Sequence, residues 1–125
     1  MNSKNFALEF LKLQEKYLIN FQEKLLKIED CLKNHDQESL ADHFHKLKGN
    51  GQTYGFKSIT DIATLVDQHY KIKSPDYLHW ATIGLSLLKE IHPLLINKTT
   101  IDLNQITNYS KLINSIKPLN GKGEQ

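Results

Sequence analysis

His45-Lys46-Leu47-Lys48-Gly49-Asn50-Gly51 is the one stretch of this sequence whose residue types do not suit ordinary core packing. It sets an imidazole, a lysine three residues on, two glycines and an asparagine inside a segment whose apolar positions repeat at helical spacing. Each glycine costs about 1 kcal/mol relative to alanine in a helix interior, so bare backbone here must serve another purpose. At 100° per residue, the His45 ring stands about 130° from the centre of the stripe formed by Leu40, Phe44, Leu47 and Gly51, which aims it at solvent. Glu38, Ala41, Lys48, Gly49 and Gln52 share that exposed flank. Lys48 lies one turn from His45, the spacing at which helix side chains meet. Such an arrangement suits a histidine that carries a phosphoryl group. An imidazole is a nucleophile near neutral pH, Lys48 offsets the added negative charge, and Gly49 leaves the approach clear for a partner's active site. Gly51 falls on the buried side and serves close helix packing, and Gly55 closes the helix as a C-cap.

The elements that position this stretch are all predicted to be helices. The first glycine is Gly49 and the first proline Pro75, so the opening third lacks both strong helix breakers. Phe6, Phe10, Leu13, Tyr17, Phe21, Leu25, Ile28 and Leu32 recur at steps of three and four, one stripe of an amphipathic helix over residues 4–33. That helix would be about 45 Å long, longer than any later segment can cover, and a bend is expected near residues 17–22. Asn34-His35-Asp36 interrupts the pattern, and Asp36 is the expected N-cap of a second helix with Leu40, Phe44, Leu47 and Tyr54 inward. Ser58 and Asp61 resemble a capping box opening a third helix to about residue 72, with Ile59, Ile62, Ala63, Val66 and Tyr70 inward. Ser74-Pro75-Asp76 reads as the start of a fourth, carrying Tyr77, Trp80, Ala81, Gly84, Leu87, Leu88, Ile91 and Leu95, which Pro93 bends or ends. A weaker stripe over 102–117 predicts a further helix, and 120–125 is expected as a disordered tail. No segment alternates as a half-buried strand does, so an all-α antiparallel bundle follows.

Composition narrows the function classes. The chain has 125 residues with 39% hydrophobic and 24% charged, enough for one packed domain and too balanced for disorder. The formal charge is +2 and all 16 basic residues are lysine, which removes the usual bidentate reader of guanine and phosphate and argues against nucleic-acid binding. The lone Cys31, flanked by acids, reads as a small hydrophobe in a reducing compartment, and no signal segment or membrane-spanning run is evident. A cytoplasmic location without membrane insertion is expected. Met1 and the two tailed ends are compatible with a free-standing chain. His43 and His45 point about 200° apart on a helix and cannot share a metal ion, so no metal site is expected. His35, His69, His79 and His92 are scattered and expected at surface or boundary positions. No glycine-rich phosphate loop of the usual spacing occurs, so neither an ATP site nor autokinase activity is expected.

With His45, Lys48, Gly49 and Gly55-Phe56 in place, the segment resembles the signature of histidine phosphotransfer (HPt) domains: His, any residue, an apolar residue, Lys, Gly, two small residues, then an apolar residue and Gly. Asn50 and Gly51 stand where serine or alanine is usual, and Tyr54 where leucine is common. The resemblance covers about residues 5–96. It implies an antiparallel four-helix bundle of the HPt type over residues 1–96; beyond 96 the resemblance gives no guidance, and 97–119 is expected as a C-terminal helical extension packed on the bundle. It also implies that His45 takes a phosphoryl group on its outer ring nitrogen from the aspartyl phosphate of one response-regulator receiver domain and passes it to another. The upstream partner would be a hybrid sensor histidine kinase. The chain would need no cofactor, since Mg²⁺ and the aspartate belong to the receiver, and it would act as a monomer. Family domains often set a Gln or an acid from the next helix near the phosphorylated ring, and Asp67 or Gln68 fits that description. The competing possibility is a helical adaptor that binds receiver or kinase domains without phosphotransfer, its glycines serving packing alone. An amphipathic membrane-surface helix over 4–33 is disfavoured by its mixed Lys and Glu polar face.

Overall fold

The computed structural model describes the backbone of residues 3–124 and the side chains of residues 5–116. Five α-helices follow one another: α1 (Ser3–Lys33), α2 (Gln37–Tyr54), α3 (Lys57–Lys71), α4 (Tyr77–Ile96) and α5 (Thr107–Glu124), the last preceded by a 3₁₀ turn at Leu103–Gln105. There is no strand among the described residues. α1 packs on α2 and α4, and α3 packs on the same two, which closes a four-helix bundle; α5 lies against α3 and α4. The short connections make successive helices of the bundle antiparallel.

α1 runs as one uninterrupted helix through residues 17–22, where a bend was expected. Its apolar stripe divides in two. Tyr17, Phe21, Leu25 and Ile28 are buried, whereas Phe6 and Leu13 are 65% and 51% exposed. The helix has 31 residues against 15 to 20 in the other bundle helices, so its first turns run past the bundle end. Leu18, outside the predicted stripe, is buried as well.

The second helix begins as its sequence predicts, with the Asp36 carboxylate accepting the Ser39 N–H at 3.1 Å. It ends at Gly55, whose φ of 77° is the left-handed conformation that glycine adopts without a Cβ clash. The tightest helix pair is α2 with α3, and Gly51 explains it. A Cβ at Gly51 would collide with the Thr60 side chain and stand 2.9 Å from the Thr60 backbone nitrogen. Thr60 in turn donates its hydroxyl to the Lys48 carbonyl at 3.1 Å.

Several predicted boundaries shift. The third helix starts at Lys57 with Phe56 as its cap residue and no side-chain capping bond, so Ser58 and Asp61 do not form a capping box. Asp61 instead takes the Lys57 ammonium at 2.7 Å. Likewise Ser74-Pro75 forms a turn before α4 rather than its first turn, and the helix opens at Tyr77. Pro93 sits inside α4, which continues to Ile96. Tyr70 is exposed rather than inward, and Trp80 is half-buried. The predicted C-terminal helix begins five residues later than expected, after Asp102 caps the 3₁₀ turn by accepting the Asn104 N–H at 3.0 Å. Its Tyr109, Leu112 and Ile116 are buried. The α5 bounds extend into 120–125, the predicted tail; the side chains beyond 116 and Gln125 as a whole lie outside the described residues.

Candidate functional site

α2 holds His45 on its outer flank. The side chain is 64% exposed and its Nδ1 lies 3.7 Å from Oδ2 of Asp67 on α3. That separation is too long for a hydrogen bond and short enough for a strong electrostatic contact. With Nδ1 turned toward α3, Nε2 is the ring nitrogen left toward solvent. Lys48, one turn along α2, places its ammonium 3.7 Å from the same Oδ2. Lys71, one turn along α3 from Asp67, approaches that oxygen to 3.1 Å.

Asp67 is therefore the centre of the arrangement. It is only 4% exposed, and its buried Oδ2 makes no aligned hydrogen bond among the described residues. A buried carboxylate oxygen without an aligned hydrogen bond depends on nearby positive charge, and three groups able to carry it surround this one. Gln68, the other residue predicted for this role, is exposed, and α3 turns it away from the contact that Asp67 makes with His45.

His45 and Asp67 line an open depression of about 850 Å³ together with Glu38, Ala41, Tyr70 and Lys71. Glu38, Gly49 and Gln52 are exposed as the helical spacing predicts. Ala41 is not. It is 7% exposed, because it lies at the edge between the apolar stripe and the flank, where it lines the floor of the depression beside α3.

The two glycines of α2 differ in kind. A Cβ at Gly49 would meet no atom within 4 Å, so nothing within the chain's own packing requires glycine there, in contrast to Gly51. Open backbone beside an exposed imidazole is what close approach by another protein would use. Family comparison agrees with this geometry: the Hpt domain model matches residues 12–95, which span all four bundle helices and the site. The chain belongs to the Hpt domain family. Membership implies a phosphotransfer role in phosphorelays and interaction with receiver domains and histidine kinases. Comparison with curated proteins returns no significant match, and neither does comparison with solved structures.

The remaining predicted features lie away from the His45–Asp67 contact. Among the described residues no three His, Cys, Asp or Glu side chains converge as a metal site, and no helix is long and apolar enough to cross a membrane. Cys31 is buried, and burial first, then Asp36 and Asp30, pushes its thiol up from the ordinary range. His92 reaches the Leu18 carbonyl with Nε2 at 2.8 Å. His69, predicted at the surface or boundary, is 2% exposed and stacks on Trp80 with ring centroids 5.1 Å apart. The signal for its burial was its place in the stripe with Ile62 and Val66, three and four residues apart along α3.

Lys71 was not singled out by residue type or motif. Its spacing from Asp67, four residues along a helix, is the signal that could have exposed it once Asp67 was placed against His45.

Proposed function

We propose that this Hpt protein is a phosphoryl carrier in a multistep two-component phosphorelay, with His45 as the residue that takes and gives the group. The observation that carries this is the ring itself: exposed, turned with Nδ1 to a buried carboxylate, and flanked by a glycine with open space above it. In the neutral ring, the proton belongs on Nδ1 beside Asp67, which leaves the Nε2 lone pair for attack. Nε2 attacks the phosphorus of a receiver's aspartyl phosphate. The N–P bond forms as the acyl P–O bond breaks, and that electron pair returns to the receiver's carboxylate. The ring then bears positive charge, since Nδ1 keeps its proton, and Asp67 stabilises it. Reversal onto a second receiver's aspartate releases the group and restores the neutral ring.

Lys48 offsets charge on the transferring phosphoryl, while Gly49, Gln52 and Glu38 form the surface against which a receiver docks, with Ala41 beneath. Gly51 and Gly55 shape the helix rather than touch the partner. In-line geometry and charge neutralisation are the main demands of phosphoryl transfer, and the receiver supplies the Mg²⁺ and the aspartate. The carrier acts as a monomer in the cytoplasm, between a hybrid sensor kinase and a response regulator.

The test is to mix the purified protein with a phosphorylated receiver domain and read intact mass, wild type against His45→Gln. An acid-labile, alkali-stable phosphoryl adduct in wild type alone is expected. No adduct across a broad set of receivers would overturn the carrier and leave an adaptor that binds without transfer.

A further inference from the structure

The site has a charge problem that Lys48 alone does not solve. A phosphoryl group on His45 brings between one and a half and two negative charges close to the buried carboxylate of Asp67. The positively charged ring and Lys48 leave that cluster net negative. The rest of the depression adds Asp36 and Glu38, while Asp42 is held by Lys46 at 3.0 Å, and Lys71 is the one lysine among its lining residues. Lys71 is held by Asp67 at 3.1 Å, yet its side chain is 58% exposed, so its ammonium is tethered at one side and free to swing on the other.

We propose that Lys71 is a second cation for the phosphoryl group on His45, parked on Asp67 in the unphosphorylated protein and shared with the phosphoryl oxygens once they arrive. With Lys71 the charges of phosphoryl, carboxylate, ring and two lysines come close to cancelling. Asp67 thus keeps a cation at the ring before the anion is present, and Lys71 prevents that same carboxylate from repelling it. This rests on His45 being the carrier.

Phosphoramidate, a small phosphoryl donor, separates the two ideas because it needs no receiver. Nε2 attacks phosphorus, the P–N bond of the donor breaking as the new one forms, and the nitrogen, which the donor carries as an ammonium near neutral pH, leaves with that electron pair as neutral ammonia. Uptake is followed by intact mass, and the adduct is titrated by ³¹P NMR, on the full chain. In Lys71→Ala, uptake should slow about fivefold, and the last phosphoryl proton should leave about half a pH unit higher than in wild type. Lys71→Arg should stay near wild type. Asp67→Asn slows uptake by itself, since the ring loses its carboxylate; adding Lys71→Ala to it should slow uptake by less than about twofold further, because the carboxylate that Lys71 offsets is already gone. A merely structural lysine would leave the ³¹P titration unmoved.

Wild-type uptake that is lost in His45→Gln but unchanged in Lys71→Ala, with the same ³¹P titration, would overturn the role of Lys71 and leave the carrier intact. A Lys71→Ala defect as large in the Asp67→Asn background as in wild type would overturn that role equally. Wild-type protein that takes up no phosphoryl group, or His45→Gln that takes up as much, would overturn both.

Discussion

Asp67 and His69 stand two residues apart on α3, and both are buried, yet the helix sends them to opposite sides and to opposite chemical fates. Asp67 faces α2 and gathers His45, Lys48 and Lys71 around one oxygen at the edge of solvent. His69 faces α4 and α5, with Trp80 stacked on its ring and Ser115 Oγ 2.7 Å from its Nε2. Ser115 already donates its proton to the Leu112 carbonyl, so it accepts from His69, and the proton of the neutral ring sits on Nε2. Nδ1 is then bare, and it has no partner among the described residues. Burial holds this imidazole below its ordinary pKa of 6.5, with Asp76 opposing. The difference teaches that burial alone does not make an ionisable residue functional. On the proposed reading, a buried carboxylate beside two lysines at a surface opening trades charge with an incoming group, whereas a buried neutral imidazole between helices holds them together.

The largest effect that would break this comparison is on stability. His69→Ala removes the stack on Trp80 and the link to α5, and should destabilise the fold by about 3 kcal/mol in denaturant melts. A loss under about 1 kcal/mol would show that α5 is not anchored there. Acid supplies the next test. Because the folded state holds the His69 proton affinity below 6.5, the unfolded chain protonates first as pH drops. Stability present above that value is therefore lost as pH falls toward the lowered folded-state value. His69→Phe keeps an aromatic ring on Trp80 and cannot titrate, so its stability should fall less steeply below about pH 6.5. The half-buried His43, also lowered by burial, contributes a remaining slope in both proteins. Equal slopes would remove His69 as the source.

Smaller changes sharpen the other side. Gly49→Ala should raise stability by about 1 kcal/mol, since a Cβ there meets open space, while slowing transfer from a phosphorylated receiver. Faster or unchanged transfer would mean that no partner approaches that backbone. Asp67→Asn should change the melt by less than about 1 kcal/mol, because Lys48 and Lys71 can turn to water when the carboxylate is gone. A drop as large as that of His69→Ala would make Asp67 a structural residue after all.

Local pattern made much of this protein legible. The Asp36 cap, the Gly55 stop and the buried face of α2 follow from residue types and a 3.6-residue period, because helix geometry and capping are set by near neighbours. His45 and Gly49 could be placed on one exposed flank for the same reason; Lys48, expected there too, is half-buried where its ammonium reaches toward Asp67. Failures cluster where a distant element intervenes. Phe6 and Leu13 match the core stripe but are exposed, as α1 outruns its partners. Ala41 lies on the flank by angle yet is buried beside α3, and the Ser58–Asp61 capping box gives way to a Lys57–Asp61 pair.

By itself, then, the sequence determined the helices, their order and the histidine that stands outside their core, since each depends on spacing along one chain. Only the tertiary structure decided that Asp67 rather than Gln68 meets His45, that Lys71 joins them, and that His69 ties α5 to the bundle. The Asp67–His45 and His69–Ser115 contacts run between helices and depend on how each is rotated against its neighbour; the Asp67–Lys71 pair lies within α3, but only the first of those contacts brings it to the ring. The Gly51 backbone lets α3, which carries Asp67, approach within touching distance of α2, which carries His45.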